Sequence, residues 1–145
     1  MMEILIHPDP RLRVKCKSIE KVTDEYRELA KKMYETMLAA DGLGIAANQV
    51  GLDIRLIVLK DDDKPLYMFN PVPAKSEGKQ INFEGCLSYP GVSRKLKRAR
   101  EITVRYRDIN NKVSYRVLTG MMAVAFAHEF DHIQGVLFED HEEAI

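Results

Sequence analysis

Gly120-Met121-Met122-Ala123-Val124-Ala125-Phe126-Ala127-His128-Glu129-Phe130-Asp131-His132-Ile133-Gln134 is the stretch on which the fold turns. Met121 to Ala127 are apolar without a break, so a helix here carries apolar side chains on every face rather than along one stripe. Such a helix is central and buried, and it is far too short to cross a membrane, which takes about 20 apolar residues. Thr119 is the candidate N-cap, and Gly135 supplies the stop.

The segments around it read mostly as strands. Glu101-Ile102-Thr103-Val104-Arg105-Tyr106-Arg107 alternates apolar with polar, so one of its faces is wet. Asp108-Ile109-Asn110-Asn111-Lys112 has turn chemistry, and Val113-Ser114-Tyr115-Arg116-Val117-Leu118 returns as the partner strand. Further back, Ile54-Arg55-Leu56-Ile57-Val58-Leu59 is rich in branched residues. Lys60-Asp61-Asp62-Asp63-Lys64-Pro65 reads as a hairpin loop, and Leu66-Tyr67-Met68-Phe69-Asn70 follows it. A second helix starts after Thr23 and ends at Asp41-Gly42. Its stripe of Tyr26, Leu29, Ala30, Met33, Tyr34, Met37 and Leu38 marks one buried face. These elements predict an α+β fold, with mostly antiparallel strands packed around a central buried C-terminal helix. The chain has 145 residues and no repeat, low-complexity tract or linker, so a single domain over 1–145 is expected.

Composition narrows the function classes. The 22 basic residues balance the 22 acidic ones. Nucleic acid and anionic membranes both select a sustained positive excess, so neither is an expected partner. No apolar run approaches the ~18 residues of a membrane span. The opening Met1-Met2-Glu3-Ile4-Leu5-Ile6-His7-Pro8 lacks the basic start and apolar core of a secretory signal, and it is unlike a transit peptide. Cys16 and Cys86 could bridge, but two thiols in a chain of this length read more naturally as reduced and intracellular.

Chemistry concentrates on the buried helix. His128 and His132 are four residues apart, which puts both imidazoles on one face where they reach a single ion. In such motifs the carboxylate beside the first histidine, here Glu129, does not bind the metal but acts as general base. The bland alternative is a pair of core histidines bonded to their neighbours. Burying two His, one Glu and one Asp on an apolar helix is costly unless something pairs with them, and a divalent ion would do so.

Two histidines leave such a site one protein ligand short. Position 138, where metzincin proteases place a third histidine, is Phe. His141 lies nine residues past His132 in a polar tail, and Ile145 ends the chain before a distant glutamate of the thermolysin kind can follow. Cys86 is the remaining strong candidate. It sits in Glu84-Gly85-Cys86-Leu87-Ser88, which reads as a strand end followed by the turn Tyr89-Pro90-Gly91, although a lone cysteine also reads as a small buried hydrophobe. A third cluster, Gly42-Leu43-Gly44-Ile45-Ala46-Ala47-Asn48-Gln49, lets backbone run close to a ligand, and Gln49 offers a neutral donor for a developing oxyanion. It has no Gly-Lys-Ser or Gly-Lys-Thr, so a nucleotide loop is excluded.

Taken together, the three clusters resemble the peptide deformylase family. That family carries Gly-Φ-Gly-Φ-Ala-Ala-x-Gln, then Glu-Gly-Cys-Φ-Ser, then Gln-His-Glu-x-Asp-His-Φ-x-Gly. The first matches from Gly42 to Gln49, the second from Glu84 to Ser88, and the third from His128 to Gly135, with Ala127 where the family usually has Gln. The likeness also covers Ile6-His7-Pro8-Asp9-Pro10-Arg11-Leu12. Only ten residues follow Gly135, so the chain is similar to short-tailed members without the extended C-terminal helix.

The resemblance implies removal of the N-formyl group from the initiator methionine of nascent polypeptides, with release of formate. It implies Cys86, His128 and His132 as metal ligands with water as the fourth, and Glu129 as general acid/base. Gln49 and the backbone N–H of Leu87 are implied as oxyanion donors, with Gly44 positioning the peptide. Met121, Val124 and Ala125 precede His128 by seven, four and three residues and share its face. With Leu43 they would line an apolar slot suited to a thioether, unless they are simply core. The resemblance favours Fe²⁺ in the cell, with Zn²⁺ or Ni²⁺ substituting in purified protein. It implies work in the cytoplasm of a bacterium or phage-infected bacterium near the ribosome exit, or in an organelle of bacterial origin, and nothing in the sequence demands more than a monomer. The rival readings are a zincin-type endopeptidase with a third ligand other than Cys86, and a non-enzymatic binding module, which would be expected to have lost Glu129 or a ligand.

Overall fold

The computed structural model describes residues 1–145. Helix α1 spans Asp24–Ala39 and helix α2 spans Gly120–Ile133. The strands are β1 (Gly44–Ala46), β2 (Leu56–Asp61), β3 (Lys64–Glu77), β4 (Gln80–Cys86), β5 (Tyr89–Arg98), β6 (Glu101–Arg107) and β7 (Val113–Thr119). Strands β1-β2-β3-β6-β7 form one antiparallel sheet in that order, and β4 and β5 pair separately as a hairpin. The expected α+β class, with antiparallel strands around a buried C-terminal helix, is borne out.

Strand β2 lies between the two helices. Leu56 and Val58 pack with Met33 and Met37 of α1, while Ile57 and Leu59 pack with Ala123 and Phe126 of α2. All four strand residues are fully buried, which is why this segment is apolar without alternation. By contrast β6 alternates as the sequence implied, with Ile102, Val104 and Tyr106 buried. In α1 the Thr23 hydroxyl accepts from the Tyr26 N–H at 3.3 Å, as expected of the cap. Leu38, placed on the buried stripe by its spacing, is exposed at the helix end.

Several boundaries differ from the sequence reading. Thr119 holds the expected N-cap position of α2 with extended backbone, but its hydroxyl makes no capping bond; it is also the last residue of β7, paired with Glu101. Gly120, at φ 57°, turns the chain directly from strand into helix. Strand β3 runs well past Asn70, through Pro71 and Pro73, because register shifts at Phe69/Val72 and Pro73/Lys75 absorb the missing N–H donors. Tyr89-Pro90-Gly91 is not a turn. The β4–β5 turn is Leu87-Ser88, and Cys86 pairs with Tyr89 across it. The extra residues form a bulge at Gly91, φ 76°.

The end of the chain is tied down. Leu137 and Phe138 are buried with Leu5, Leu12, Tyr89 and Leu96. The Tyr89 hydroxyl donates to Glu139 at 2.8 Å, and the Ala144 N–H donates to the Lys95 carbonyl at 2.8 Å. His141 is not loose in a polar tail: its Nε2 sits 2.8 Å from Asp131 Oδ2, so it is no third ligand.

Candidate active site

Helix α2 enters the centre of the molecule with His128, Glu129 and His132 all buried on one side. Cys86, the last residue of β4, arrives opposite them. Its Sγ is 3.4 Å from His132 Nε2, which is 3.2 Å from His128 Nε2. One donor atom from each of the three residues falls within a 4.8 Å group, the only such cluster of His, Cys, Asp or Glu in the structure. The sequence alone left Cys86 open between ligand and small hydrophobe; the fold brings it onto the histidine pair. Cys16 is buried elsewhere and both thiols are free.

These residues fit a resident metal. Two imidazole nitrogens and a sulfur converge, which is the donor set of a borderline-soft divalent ion. His128 also has the outer support typical of a metal ligand: its Nδ1 meets Glu84 Oε1 at 2.9 Å, which turns Nε2 toward the other donors.

Glu84 is the residue that sequence reasoning missed. It was legible only as part of Glu-Gly-Cys. In the fold it is buried on β4, and Arg98 of β5 donates to it through Nε at 2.8 Å and Nη2 at 3.0 Å. Arg98 Nη1 continues to Asp131 at 2.7 Å, and Asp131 meets His141. Burial alone would raise the Glu84 carboxyl, but bonds from His128 and Arg98 outweigh that and hold it at about 2.

The electrostatics of the ligand pair follow from one proton. Burial opposes charge on His128, yet Cys86 and Glu84 hold it protonated up to about 10. Burial pushes His132 the other way, well below the ordinary histidine range, and the His128 charge beside it adds to that. A cation bound by the same donors would compete with the proton on His128. Glu129 is pushed up by burial to about 7, and its Oε1 has no hydrogen-bond partner. A carboxyl poised near neutrality is suited to taking and giving a proton.

The remaining predicted residues surround the same place. Gln49 is buried: its Oε1 accepts from the Ala46 N–H at 2.9 Å, and its Nε2 donates to Ser88 Oγ at 3.2 Å while lying 3.9 Å from Cys86 Sγ. The Leu87 N–H is engaged by no other backbone group. A cleft of about 440 Å³ opens over Cys86, His128 and Glu129, lined in part by Leu43, Gly44, Met121, Val124 and Ala125. Met121 is half exposed, so its cleft contact comes without a core role. Gly44 passes so close that an added Cβ would sit 3.0 Å from Glu129 Oε2. Asn48 holds the back of the site by donating to the His132 carbonyl.

A helix-borne His-x-x-x-His, a converging sulfur and a poised glutamate beside an open cleft are the parts of a metal-dependent hydrolase. The comparisons with known proteins agree. The family model described as polypeptide deformylase matches residues 1–144. A peptide deformylase of Pseudothermotoga lettingae is 44% identical over 133 residues, covering 91% of this chain and 77% of that one. The crystal structure of peptide deformylase from Thermotoga maritima superposes with a TM-score of 0.95 at 33% identity, covering 99% of both chains. That from Thermus thermophilus gives 0.92 at 38%, covering 97% of this chain and 84% of that one. The chain belongs to the peptide deformylase family. Its activity is removal of the N-formyl group from nascent peptides.

Proposed function

We propose that Cys86, His128 and His132 hold one divalent ion, and that Glu129, Gln49 and the Leu87 N–H act on a formyl group brought beside it. The convergence of three donor atoms within 4.8 Å, next to a buried glutamate, carries this reading. When bound, the ion supplies a Lewis acid that polarises the formyl oxygen and acidifies water. Glu129 accepts the proton of the attacking water and returns it to the leaving nitrogen as the formyl C–N bond breaks, giving formate and a free amine. Gln49 Nε2 and the Leu87 N–H donate to the oxygen that gains charge. Glu84 holds His128 in the tautomer that keeps Nε2 free. Leu43, Met121, Val124 and Ala125 receive the methionine side chain, whose flexible thioether fits an irregular wall, while the Gly44 backbone positions the peptide.

The whole of 1–145 serves as one catalytic domain in this reading. The family points to Fe²⁺ in the cell, and a Cys-His-His set also accepts Zn²⁺ or Ni²⁺. The substrates are formylmethionyl chains emerging at the ribosome exit, which assigns the activity to the cytoplasm. The balanced charge supports action on peptide rather than on nucleic acid, and a monomer contains every residue named. No helix is long and apolar enough to cross a membrane. Incubating anaerobically purified, iron-loaded protein with formyl-Met-Ala-Ser tests the assignment. Formate and new amine should appear in equal amounts; cleavage at Met-Ala instead would make the protein an endopeptidase.

A further inference from the structure

We propose that the exposed edge of β7 is a self-association surface, on which a second copy of this chain adds its own β7 antiparallel to the first. Strand β7 is the last in the order β1-β2-β3-β6-β7, so one of its sides has no neighbour. The main chain shows which residues face that side. The Asp108 N–H donates to the Lys112 carbonyl and the Gly120 N–H to the Arg100 carbonyl, which continues the β6–β7 ladder at both ends. Even-numbered residues of β7 therefore bond to β6, and Val113, Tyr115 and Val117 turn their N–H and C=O groups outward. The same three side chains are exposed: Val113 54%, Tyr115 66% and Val117 56%. Unpaired backbone beside an apolar row is a template for another strand. Soluble proteins blunt such edges with proline, bulges or charge. Strand β7 contains no proline and pairs with β6 without a register shift; its one charged residue, Arg116, points to the other face and is bonded to Asp61.

The residues of this edge select a second copy as the occupant and fix its register. Lys112-Val113-Ser114-Tyr115-Arg116-Val117-Leu118 places its two valines symmetrically about Tyr115. A two-fold axis at Tyr115 therefore faces Val113 with Val117 of the second copy, and Tyr115 with itself. On the opposite face the same register sets Arg116 against Ser114 and Lys112 against Leu118, so no two like charges meet. Centring on Ser114 would set Lys112 against Arg116, and centring on Arg116 would set that residue against itself; like-charge repulsion opposes both. Centring on Val113 or Val117 runs the pairing off the end of the strand. The contact is separate from the chemistry, since no residue of β7 lines the cleft over Cys86 and Glu129. One strand of 7 residues per copy covers less than the roughly 800 Å² per partner of a standard interface, which makes the association weak and concentration-dependent.

Sedimentation equilibrium of the zinc-loaded full chain tests the surface. The weight-average mass should rise from 16.6 kDa at about 10 μM toward twice that value at about 1 mM. Tyr115→Arg sets two cations on the axis and should stay at 16.6 kDa over the whole range. Val117→Lys should do likewise, while the circular dichroism and urea midpoints of both variants stay close to wild type. Cross-linking reads the register. At the axis the paired Cα atoms lie about 5.5 Å apart, within disulfide reach, so Tyr115→Cys should link two chains under mild oxidation, above the wild-type background. In Val113→Cys the two new thiols start four residues apart along the strands, roughly 13 Å, and no such link should form. A wild-type mass that stays at 16.6 kDa up to about 1 mM overturns the proposal. So does association of the folded Tyr115→Arg and Val117→Lys proteins as tight as wild type, growth past two chains, or equal cross-linking at positions 113 and 115.

Discussion

Replacing Glu84 with alanine removes the carboxylate that joins His128 to Arg98, and the structure sets the size of the consequence. Arg98 is buried and would keep only Asp131 as partner, while His128 would lose the acceptor that orients it. Removing one member of a buried, hydrogen-bonded ion pair costs about 3–5 kcal/mol. The carboxyl itself gives a second route to the number. Its fall from 4.5 to about 2 corresponds to on the order of 3 kcal/mol favouring the folded state. Both arguments place the loss near 3 kcal/mol, which at a slope of about 2 kcal/mol/M lowers the urea midpoint by roughly 1.5 M. The variant should also release its metal to a chelator at roughly 10–100-fold lower competitor concentration, because the outer partner of a ligand histidine is gone. The sign of the pH dependence is fixed as well. A carboxyl lowered on folding contributes its full stability above about 4.5 and loses it as pH falls toward 2, so wild type should lose stability across that window and Glu84→Ala should show a flatter profile there. Urea melts of metal-free protein with a chelator titration test all three. A Glu84→Ala protein within about 0.5 kcal/mol of wild type, with unchanged metal retention, would refute the reasoning.

Glu129→Ala should keep its metal by elemental analysis yet lose about 10²–10⁴ in kcat, since only the proton shuttle goes; near-normal turnover would remove it from that role. Gly44→Ala places a methyl 2.9 Å from the buried Leu59 and 3.0 Å from Glu129, so formate release should fall sharply and the fold should lose about 1–3 kcal/mol, as read by paired activity assays and urea melts. Gly135→Ala requires φ 77° and a Cβ 2.5 Å from the Arg13 carbonyl, a backbone clash that should destabilise the fold by more than about 1 kcal/mol in urea melts.

How much of this was legible in the sequence depended on the distance between cooperating residues. His128, Glu129 and His132 share one helix, so spacing alone places them together. Cys86 reaches them across the fold, and local chemistry left it between ligand and small hydrophobe until the family resemblance, and then the geometry, brought it in. Glu84 stayed hidden because its partners lie fourteen residues away on β5 and forty-four away on α2, and no local pattern records such a contact. The strand boundaries failed where turn chemistry and pairing disagree. The strand was expected over Leu66 to Asn70 and Tyr89-Pro90-Gly91 as a turn, yet bulges let the strand run on through Pro71 and Pro73 and keep Tyr89-Pro90-Gly91 in its hairpin.

Bound metal and formate release, measured on the same anaerobic samples of wild type and Cys86→Ala, test the central claim most directly. The account predicts one divalent ion per wild-type chain with formate produced from formyl-Met-Ala-Ser, and both lost together in Cys86→Ala. A Cys86→Ala protein that still holds one ion per chain and still releases formate would contradict it.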